Sequence, residues 1–269
     1  MILQNMTPEE KLRQVSRLEL DIRSSAMSWV DHNQRTLKKR KAFPFIHVIR
    51  RDYDGMGTWN IILTFKERPN FRKGVVFSSN AFQKFYVEKG AKPENIGAGI
   101  YLLGANDSFT SGVTLYEFSP HFFYRFRQRY MERNHIEVKN FEEMILLVVE
   151  TLQHTILCDS LFHFSNVKEK NDFMRSQGVP RLEGYDNLAV FTRHGIVFGL
   201  SRKNYECYLT YVDREDFYQG QQEYYGDVVK LYDQHDQLMK KDPYYYMNRE
   251  AMLQEKRIDF TKMLNYKYS

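Results

Sequence analysis

Apolar residues recur at helical spacing near the start of the chain. The segment begins with Thr7-Pro8-Glu9-Glu10, which supplies a capping residue, a proline suited to the first helical position and two acids in the first turn. The apolar stripe that follows consists of Leu12, Val15, Leu18, Ile22, Met27, Trp29 and Val30. We therefore predict a helix over residues 7–37 that packs its apolar side on another element.

From residue 43 to residue 118 the pattern changes to short alternating runs that are typical of strands. Residues 45–49 and 58–65 flank Asp54-Gly55-Met56-Gly57, which is a hairpin turn signal. Further strand candidates are residues 74–77 and 83–87, with a short helix over 80–88 as the alternative. The glycine-spaced run 97–104 does not match either phosphate-binding glycine pattern, so we predict a turn that enters a strand.

The second half of the chain mixes helices and strands. A strand over residues 113–118 is followed by Ser119-Pro120, which is a good helix start, and a second amphipathic helix is predicted over 140–154. Residues 168–184 are polar and rich in turn formers, so we expect a loop there. The remaining predicted elements are strands at 187–192, 196–201 and 205–212, and helices at about 221–240 and 248–264.

These elements together predict an α+β fold, with antiparallel sheet packed against helices and with helical N- and C-terminal extensions. We expect three regions. Residues 1–42 form an N-terminal helix with a basic end. Residues 43–218 form an α+β core, which is rich in strands over 43–117 and runs helix, helix, meander over 118–218. Residues 219–269 form a C-terminal helical hairpin.

Composition narrows the class of protein only slightly. The 269 residues carry 39 basic and 34 acidic side chains, so a net charge of +5 is compatible with a nucleic-acid partner without demanding one. Two cysteines cannot build a disulfide framework, which favours a reducing compartment. The first residues lack a signal pattern and the longest apolar run is too short for a bilayer, so we expect a cytoplasmic protein without a membrane partner.

Candidate chemistry concentrates in the helix that starts at Ser119-Pro120. At 100° per residue, His121, Arg125 and Arg129 form one stripe beside an aromatic face. Guanidinium groups match phosphate oxygens, and an imidazole moves a proton near neutral pH. The stripe therefore suggests acid–base work on a phosphodiester. The alternative is a solvated helix face with a surface or capping histidine.

Other candidates are weaker. No acidic residue occurs from Asn33 to Arg51, where seven residues are Lys or Arg. The nucleic-acid-binding candidates are therefore Lys38, Lys39, Arg40 and Lys41, together with Arg127 and Arg133 as outer contacts. For the first four, a solvated helix end is an equal alternative. Thr210, Tyr208 and His194 are candidates to complete the site, although ordinary sheet residues are the commoner explanation. No metal-ligand spacing is found, so neither a metal nor a cofactor is expected.

The pattern Ser-Pro-His-x3-Arg-x3-Arg, after a strand and before a second helix and a meander, resembles the toxin-like ribonuclease superfamily. That group includes barnase-like, colicin-type and RelE-like RNases, and the similarity covers residues 113–218. The resemblance implies that His121, Arg125 and Arg129 handle the scissile phosphate of RNA. It implies a metal-independent ribonuclease, either active and toxin-like, with an inhibitor protein as a partner, or inactive. The alternatives are a non-catalytic nucleic-acid-binding or regulatory module and a protein-interaction module.

Overall fold

The computed structural model describes residues 6–43, 45–65, 67–72, 78–86, 96–104, 115–152, 156–157 and 167–217, and positions 222, 225, 226, 229, 230, 233, 234 and 237. The chain divides into two compact units. The first comprises Met1–Pro120 with Arg202–Cys207, and the second comprises His121–Ser201 with Tyr208–Ser269. The three regions expected from the sequence stay a prediction. The predicted α+β class is confirmed.

The first unit begins with a long helix whose start is fixed by its own sequence. Helix α1 spans Pro8–His32, and Thr7 forms a reciprocal capping box with Glu10. The Glu10 N–H donates to Thr7 Oγ1 at 3.2 Å, and the Thr7 N–H donates to the Glu10 carboxylate at 2.8 Å. Helix α2, Gln34–Lys39, follows after Asn33. The predicted helix is confirmed, and Asn33 divides it in two.

An antiparallel sheet makes up the rest of the described first unit. Its strands are β1 Phe45–Tyr53, β2 Gly57–Phe65, β3 Ser78–Tyr86, β4 Ile96–Gly104 and β5 Leu115–Phe118, paired in that order. Gly55 and Gly57 have φ values of 68° and 75°, which the turn between β1 and β2 requires and which glycine adopts without strain.

Most sequence predictions for this sheet hold. The hairpin at residues 45–65 is confirmed. The turn predicted at the start of 97–104 is wrong, because β4 already begins at Ile96 and the whole run is strand. The helical alternative for residues 80–88 is wrong over 80–86, because these residues pair as β3 with both β2 and β4. The candidate strand at residues 74–77 lies outside the described residues.

A buried ion pair joins α1 to β5 within the first unit. The Lys11 ammonium lies 2.7 Å from the Glu117 carboxylate, and the side chain of Lys11 is only 6 % exposed. The Tyr205 hydroxyl donates to the same carboxylate oxygen at 2.8 Å. Cys207 is a free, partly buried thiol, and burial together with the nearby Glu117 charge raises its pKa to about 12. The other cysteine, Cys158, lies outside the described residues.

The second unit contains the predicted helices and meander. Helix α3 begins at Pro120, runs to Phe126 and continues as a π-helical turn at Arg127–Met131. The other elements are α4 Phe141–Leu152, β6 Ile156–Leu157, α5 Val167–Ser176, β7 Asp186–Phe191, β8 Gly195–Arg202, β9 Tyr205–Asp213 and a 3-10 turn at Arg214–Asp216. The end of β8 and the start of β9, residues 202–207, belong to the first unit. Strands β6, β7 and β8 pair antiparallel in that order, and β9 is the neighbour of β8 on its other edge. The three predicted meander strands are confirmed.

The loop predicted over residues 168–184 is wrong for its first half, which is helix α5. Gly178 has a φ of 81° and ends the helix in a Schellman motif, in which the Val179 N–H donates to the Met174 carbonyl at 3.0 Å and the Gly178 N–H to the Arg175 carbonyl at 2.9 Å. Met174 and Val179 are both buried in the core beside Phe191 and Phe198. Tertiary burial therefore stabilises a helix that its polar composition obscured.

The C-terminal predictions are covered only in part. All eight described positions between 222 and 237 are helical, in agreement with the predicted helix over 221–240. The predicted helix over 248–264 lies outside the described residues. Among the helices that the structure describes, none has the length and apolar character needed to cross a membrane.

Candidate functional site

His121 and Arg125 form the centre of the candidate site in the second unit. They lie one helical turn apart, and the Arg125 Nε–H donates to His121 Nε2 at 3.4 Å. The second hydrogen bond of this guanidinium joins Arg125 Nη1 to the Gln128 side-chain oxygen at 3.0 Å. His121 is exposed on the helix surface. The spacing on which the sequence interpretation rests therefore places an imidazole and a guanidinium in contact.

The surroundings of His121 lower its pKa and so disfavour the imidazolium form. Partial burial lowers the pKa of His121, and the positive charges of Arg125 and Arg129 lower it further. An imidazole that accepts a hydrogen bond at Nε2 carries its proton on Nδ1. Nε2 is therefore the nitrogen that could take up a proton from a substrate once the Arg125 contact opens.

Arg129 makes internal contacts that the sequence interpretation did not predict. Its Nη1 donates to the Tyr211 carbonyl oxygen in β9 at 2.9 Å, and its Nε lies 3.3 Å from the Asp216 carboxylate. The guanidinium is near enough to lower the pKa of His121, but two of its donors already have acceptors. Arg129 follows the start of the π turn, where i+5 hydrogen bonds such as Glu132 N–H to the Arg127 carbonyl at 2.9 Å replace the α-helical ones. The 100° projection therefore does not apply from Arg127 onward.

Arg133 belongs to the same internal network. Its Nη2 lies 2.6 Å from Asp216 Oδ1, and its Nη1 lies 4.0 Å from Asp213. Asp213 is only 4 % exposed, and burial raises its pKa although the Glu215 N–H and the Arg133 charge act in the opposite direction. Two guanidinium groups and two carboxylates thus largely neutralise one another.

Sequence reasoning missed Asp213 and Asp216 as members of this cluster. Both stand at the end of β9, in the run Asp213-Arg214-Glu215-Asp216 that caps the 3-10 turn. An acidic run directly after a predicted strand was the available signal. Nothing in the sequence pattern shows that these carboxylates pair with arginines eighty or more positions earlier.

The three residues proposed to complete the site are buried or half-buried in the second unit. Thr210 and Tyr208 are 6 % and 4 % exposed, and the Tyr208 ring packs against Phe122 with centroids 6.4 Å apart. The His194 ring packs against Tyr130 at 5.0 Å, and burial lowers the pKa of His194. Such burial is typical of ordinary sheet and core residues, which is the alternative that the sequence left open.

The outer basic candidates differ in their surroundings. Arg127 is exposed and lies 3.7 Å from the Glu132 carboxylate, so it takes part in a surface ion pair. In the first unit, the Lys38 ammonium lies 5.0 Å from the Phe71 ring centroid and the Arg40 guanidinium 3.6 Å from that of Phe45. The described side chains also contain no group of three or more His, Cys, Asp or Glu residues that could hold a metal ion.

Comparisons with protein-family models, with curated proteins and with solved structures find no match to this chain. The candidate site therefore has to be interpreted from its own geometry. What the geometry offers is one exposed imidazole paired with one guanidinium, beside a cluster of arginines and aspartates.

Proposed function

We propose that the chain is a ribonuclease-like protein that acts on RNA phosphodiesters through His121 and Arg125. The observation that carries the proposal is the exposed contact between His121 Nε2 and Arg125 Nε. It combines a proton acceptor, whose pKa is held below its usual value, with a planar cation that matches two phosphate oxygens. The resemblance of the surrounding motif to toxin-like ribonucleases supports the same assignment.

The proposed reaction needs few groups from the protein. Arg125 turns from His121 to the phosphate, which frees Nε2 to take the proton of the ribose 2′-hydroxyl. The 2′-oxygen then attacks phosphorus, the bond to the 5′-oxygen breaks, and the departing oxygen takes a proton from water. Arg125 stabilises the charge that develops on the phosphoryl oxygens. The products are a 2′,3′-cyclic phosphate and a 5′-hydroxyl end.

The test is cleavage of a labelled single-stranded RNA in EDTA by the full chain and by matched variants. We expect His121→Ala to lower the cleavage rate by about 100-fold or more, since general acid–base groups contribute on that order. His32→Ala serves as the control, because His32 is an exposed histidine of α1 in the other unit. Equal cleavage by the His121→Ala variant and the parent chain would overturn the proposal and would identify a contaminating nuclease.

A second candidate is RNA binding without cleavage. Arg129 and Arg133 form ion pairs with Asp216, so neither is free to stabilise the charge of a reacting phosphate. Arg125, which is less neutralised, could still bind an RNA phosphate, and this favours binding without cleavage. In the same assay this candidate predicts salt-sensitive retention of RNA and no cleavage. An active ribonuclease in the cytoplasm would in addition need an inhibitor protein, which co-purification with the active chain would detect.

A further inference from the structure

A basic and aromatic patch belongs to the first unit, whereas His121 and Arg125 belong to the second. We define it by the cations Lys38, Lys39, Arg40, Lys41 and Arg68 with the rings of Phe45 and Phe71. We propose that this patch binds single-stranded nucleic acid, with the lysines on phosphates and a base stacked on the Arg40 guanidinium. The proposal does not depend on cleavage at His121.

The first observation is a planar cation that lies over an aromatic ring at the surface. The Arg40 guanidinium carbon lies over the Phe45 ring, 3.6 Å from its centroid, and the Phe45 and Phe65 rings are 5.9 Å apart and inclined by 19°. Phe65 is buried, Phe45 is half-buried and Arg40 is exposed. Nucleic-acid bases stack on guanidinium planes as well as on aromatic rings. The exposed guanidinium of Arg40 is therefore the place where a base would stack.

The second observation concerns the donors of Arg40. Within the part of the chain that the structure describes, none of its guanidinium N–H groups has a recorded acceptor and no carboxylate pairs with it. Its backbone is fixed instead, because Arg68 Nη2 donates to the Arg40 carbonyl at 3.0 Å. A planar cation that is held in place by a ring, with its donors directed to solvent, is suited to a phosphate or a base edge.

The third observation is uncompensated positive charge. The described structure records no ion pair between a carboxylate and any of the patch cations Lys38, Lys39, Arg40, Lys41 and Arg68. Lys39 and Lys41 are exposed, and Lys38 lies over the Phe71 ring. A polyanion would release counterions on binding here, which is the main source of affinity for nucleic acids.

A single strand fits this patch better than a duplex or a lipid surface does. Stacking on Arg40 requires an unpaired base with an accessible face, and a duplex does not offer one along its length. A membrane surface would instead favour apolar side chains that project outward. The rings of Phe45 and Phe71 are half-buried, and Arg40 covers Phe45.

The test uses the full chain with His121→Ala as the background, so that no strand is cut while binding is measured. Fluorescence anisotropy follows a labelled 12-nucleotide oligouridylate, its DNA counterpart and a duplex of mixed sequence. Arg40→Lys keeps the charge and removes the planar group, and Arg17→Ala removes an exposed arginine of α1 outside the patch. We expect Arg40→Lys to weaken single-strand binding about five-fold or more, since stacking of one base contributes at least that factor. Arg17→Ala should change it less than two-fold.

A paired experiment measures the phosphate contacts. Removal of both lysines in a Lys39→Ala, Lys41→Ala variant should make the slope of log affinity against log salt shallower by about 1.4, since each phosphate contact on a single strand contributes about 0.7. An Arg13→Ala, Arg17→Ala variant loses the same charge from α1 and should keep the slope. Tighter RNA than DNA binding, or the reverse, supports the proposal and identifies the sugar.

Three outcomes would overturn the proposal. They are equal affinity of the Arg40→Lys variant and the background protein, equal affinity for duplex and single strand, and binding to phosphatidylserine vesicles at the same protein concentration. The first outcome would show that no base stacks on Arg40. Either of the other two would show that the patch binds polyanions in general rather than single strands. None of them bears on cleavage, which is measured separately with His121 intact.

Discussion

Two groups of cations, one in each unit of this chain, are held in different ways. In the second unit, Arg129 and Arg133 are bound by Asp216, so carboxylates neutralise their charges. In the first unit, Arg40 and Lys38 lie over the rings of Phe45 and Phe71. A ring orients a cation without cancelling its charge.

The difference teaches how to weigh a basic residue in a sequence. A cation that pairs with a buried or half-buried carboxylate contributes mainly to the fold, and its loss leaves a charge uncompensated. A cation that is oriented by a ring keeps its affinity for anions. Equal numbers of Lys and Arg therefore do not indicate equal capacity to bind nucleic acid, and variants of each class should separate the two roles.

The largest effect is expected at the ion pair of Lys11 with Glu117, which is the most buried one among the described residues. Glu117→Gln should lower the free energy of unfolding by about 3 kcal/mol, because it leaves a buried ammonium without its counter-charge. Urea denaturation followed by circular dichroism measures the change. Glu9→Gln is the matched control, since Glu9 pairs with Arg202 at 3.1 Å on the surface and should cost less than about 0.5 kcal/mol. Equal losses in both variants would contradict the assignment.

The next effect concerns the carboxylate that holds two arginines. Asp216→Asn should lower the free energy of unfolding by about 1 kcal/mol, since it removes the ion pair with Arg129 and weakens the charged hydrogen bond from Arg133 at partly exposed positions. It should also tighten the binding of RNA, because two guanidinium groups are released. Glu132→Gln removes the exposed partner of Arg127 and should change neither quantity measurably. Unchanged RNA affinity in Asp216→Asn would show that these arginines do not face a ligand.

A smaller effect on stability is expected where a ring orients the cation. Arg40→Ala should lower the free energy of unfolding by roughly 0.5 kcal/mol, the usual value for an exposed cation–π contact. Thermal unfolding of the full chain measures it, with Lys39→Ala as the control, because Lys39 is exposed and contacts no ring of the described residues. If Arg40→Ala lowered the free energy of unfolding as much as Asp216→Asn does, Arg40 would contribute mainly to the fold and not to binding.

The smallest effect is a change in the titration of His121. Arg125→Ala should raise its pKa towards the ordinary value, because one of the positive charges that disfavour the imidazolium is removed. A lowered pKa in the folded state means that neutral His121 contributes stability above its unfolded pKa. That stability is lost as the pH falls through the folded pKa, and the loss should be smaller in the variant. NMR titration of the imidazole Cε1–H measures the shift, and Arg127→Ala should leave it unchanged.

Local signals in the sequence account for much of the fold. The start of α1 follows from Thr7 and Glu10, and the hairpin of β1 and β2 follows from Gly55 and Gly57, because each acts on its immediate neighbours. Helix α5 was missed because its polar sequence obscures the burial of Met174. The sequence Gly178-Val179 was a usable cap signal there.

Only the part of the candidate site that lies within one regular helical turn could be predicted from the sequence. The contact of His121 with Arg125 follows from i+4 spacing. The contacts of Arg129 with Tyr211 and Asp216 join residues more than eighty positions apart, and no periodicity within the helix encodes them. The pairing of Arg40 with Phe45 likewise depends on how the chain turns after α2.

The turn at Arg127–Met131 holds one residue more than regular α-helical winding would accommodate. Loss of a single codon in this segment, for instance that of Gln128, would let the turn close as regular α-helix, so the later side chains would keep nearly their present directions. Arg133 would then stay near Asp216, and His121 and Arg125 would keep their places because both precede the deletion. The extra residue of the π turn thus allows this helix to become one residue shorter without changing the directions of the side chains at either end.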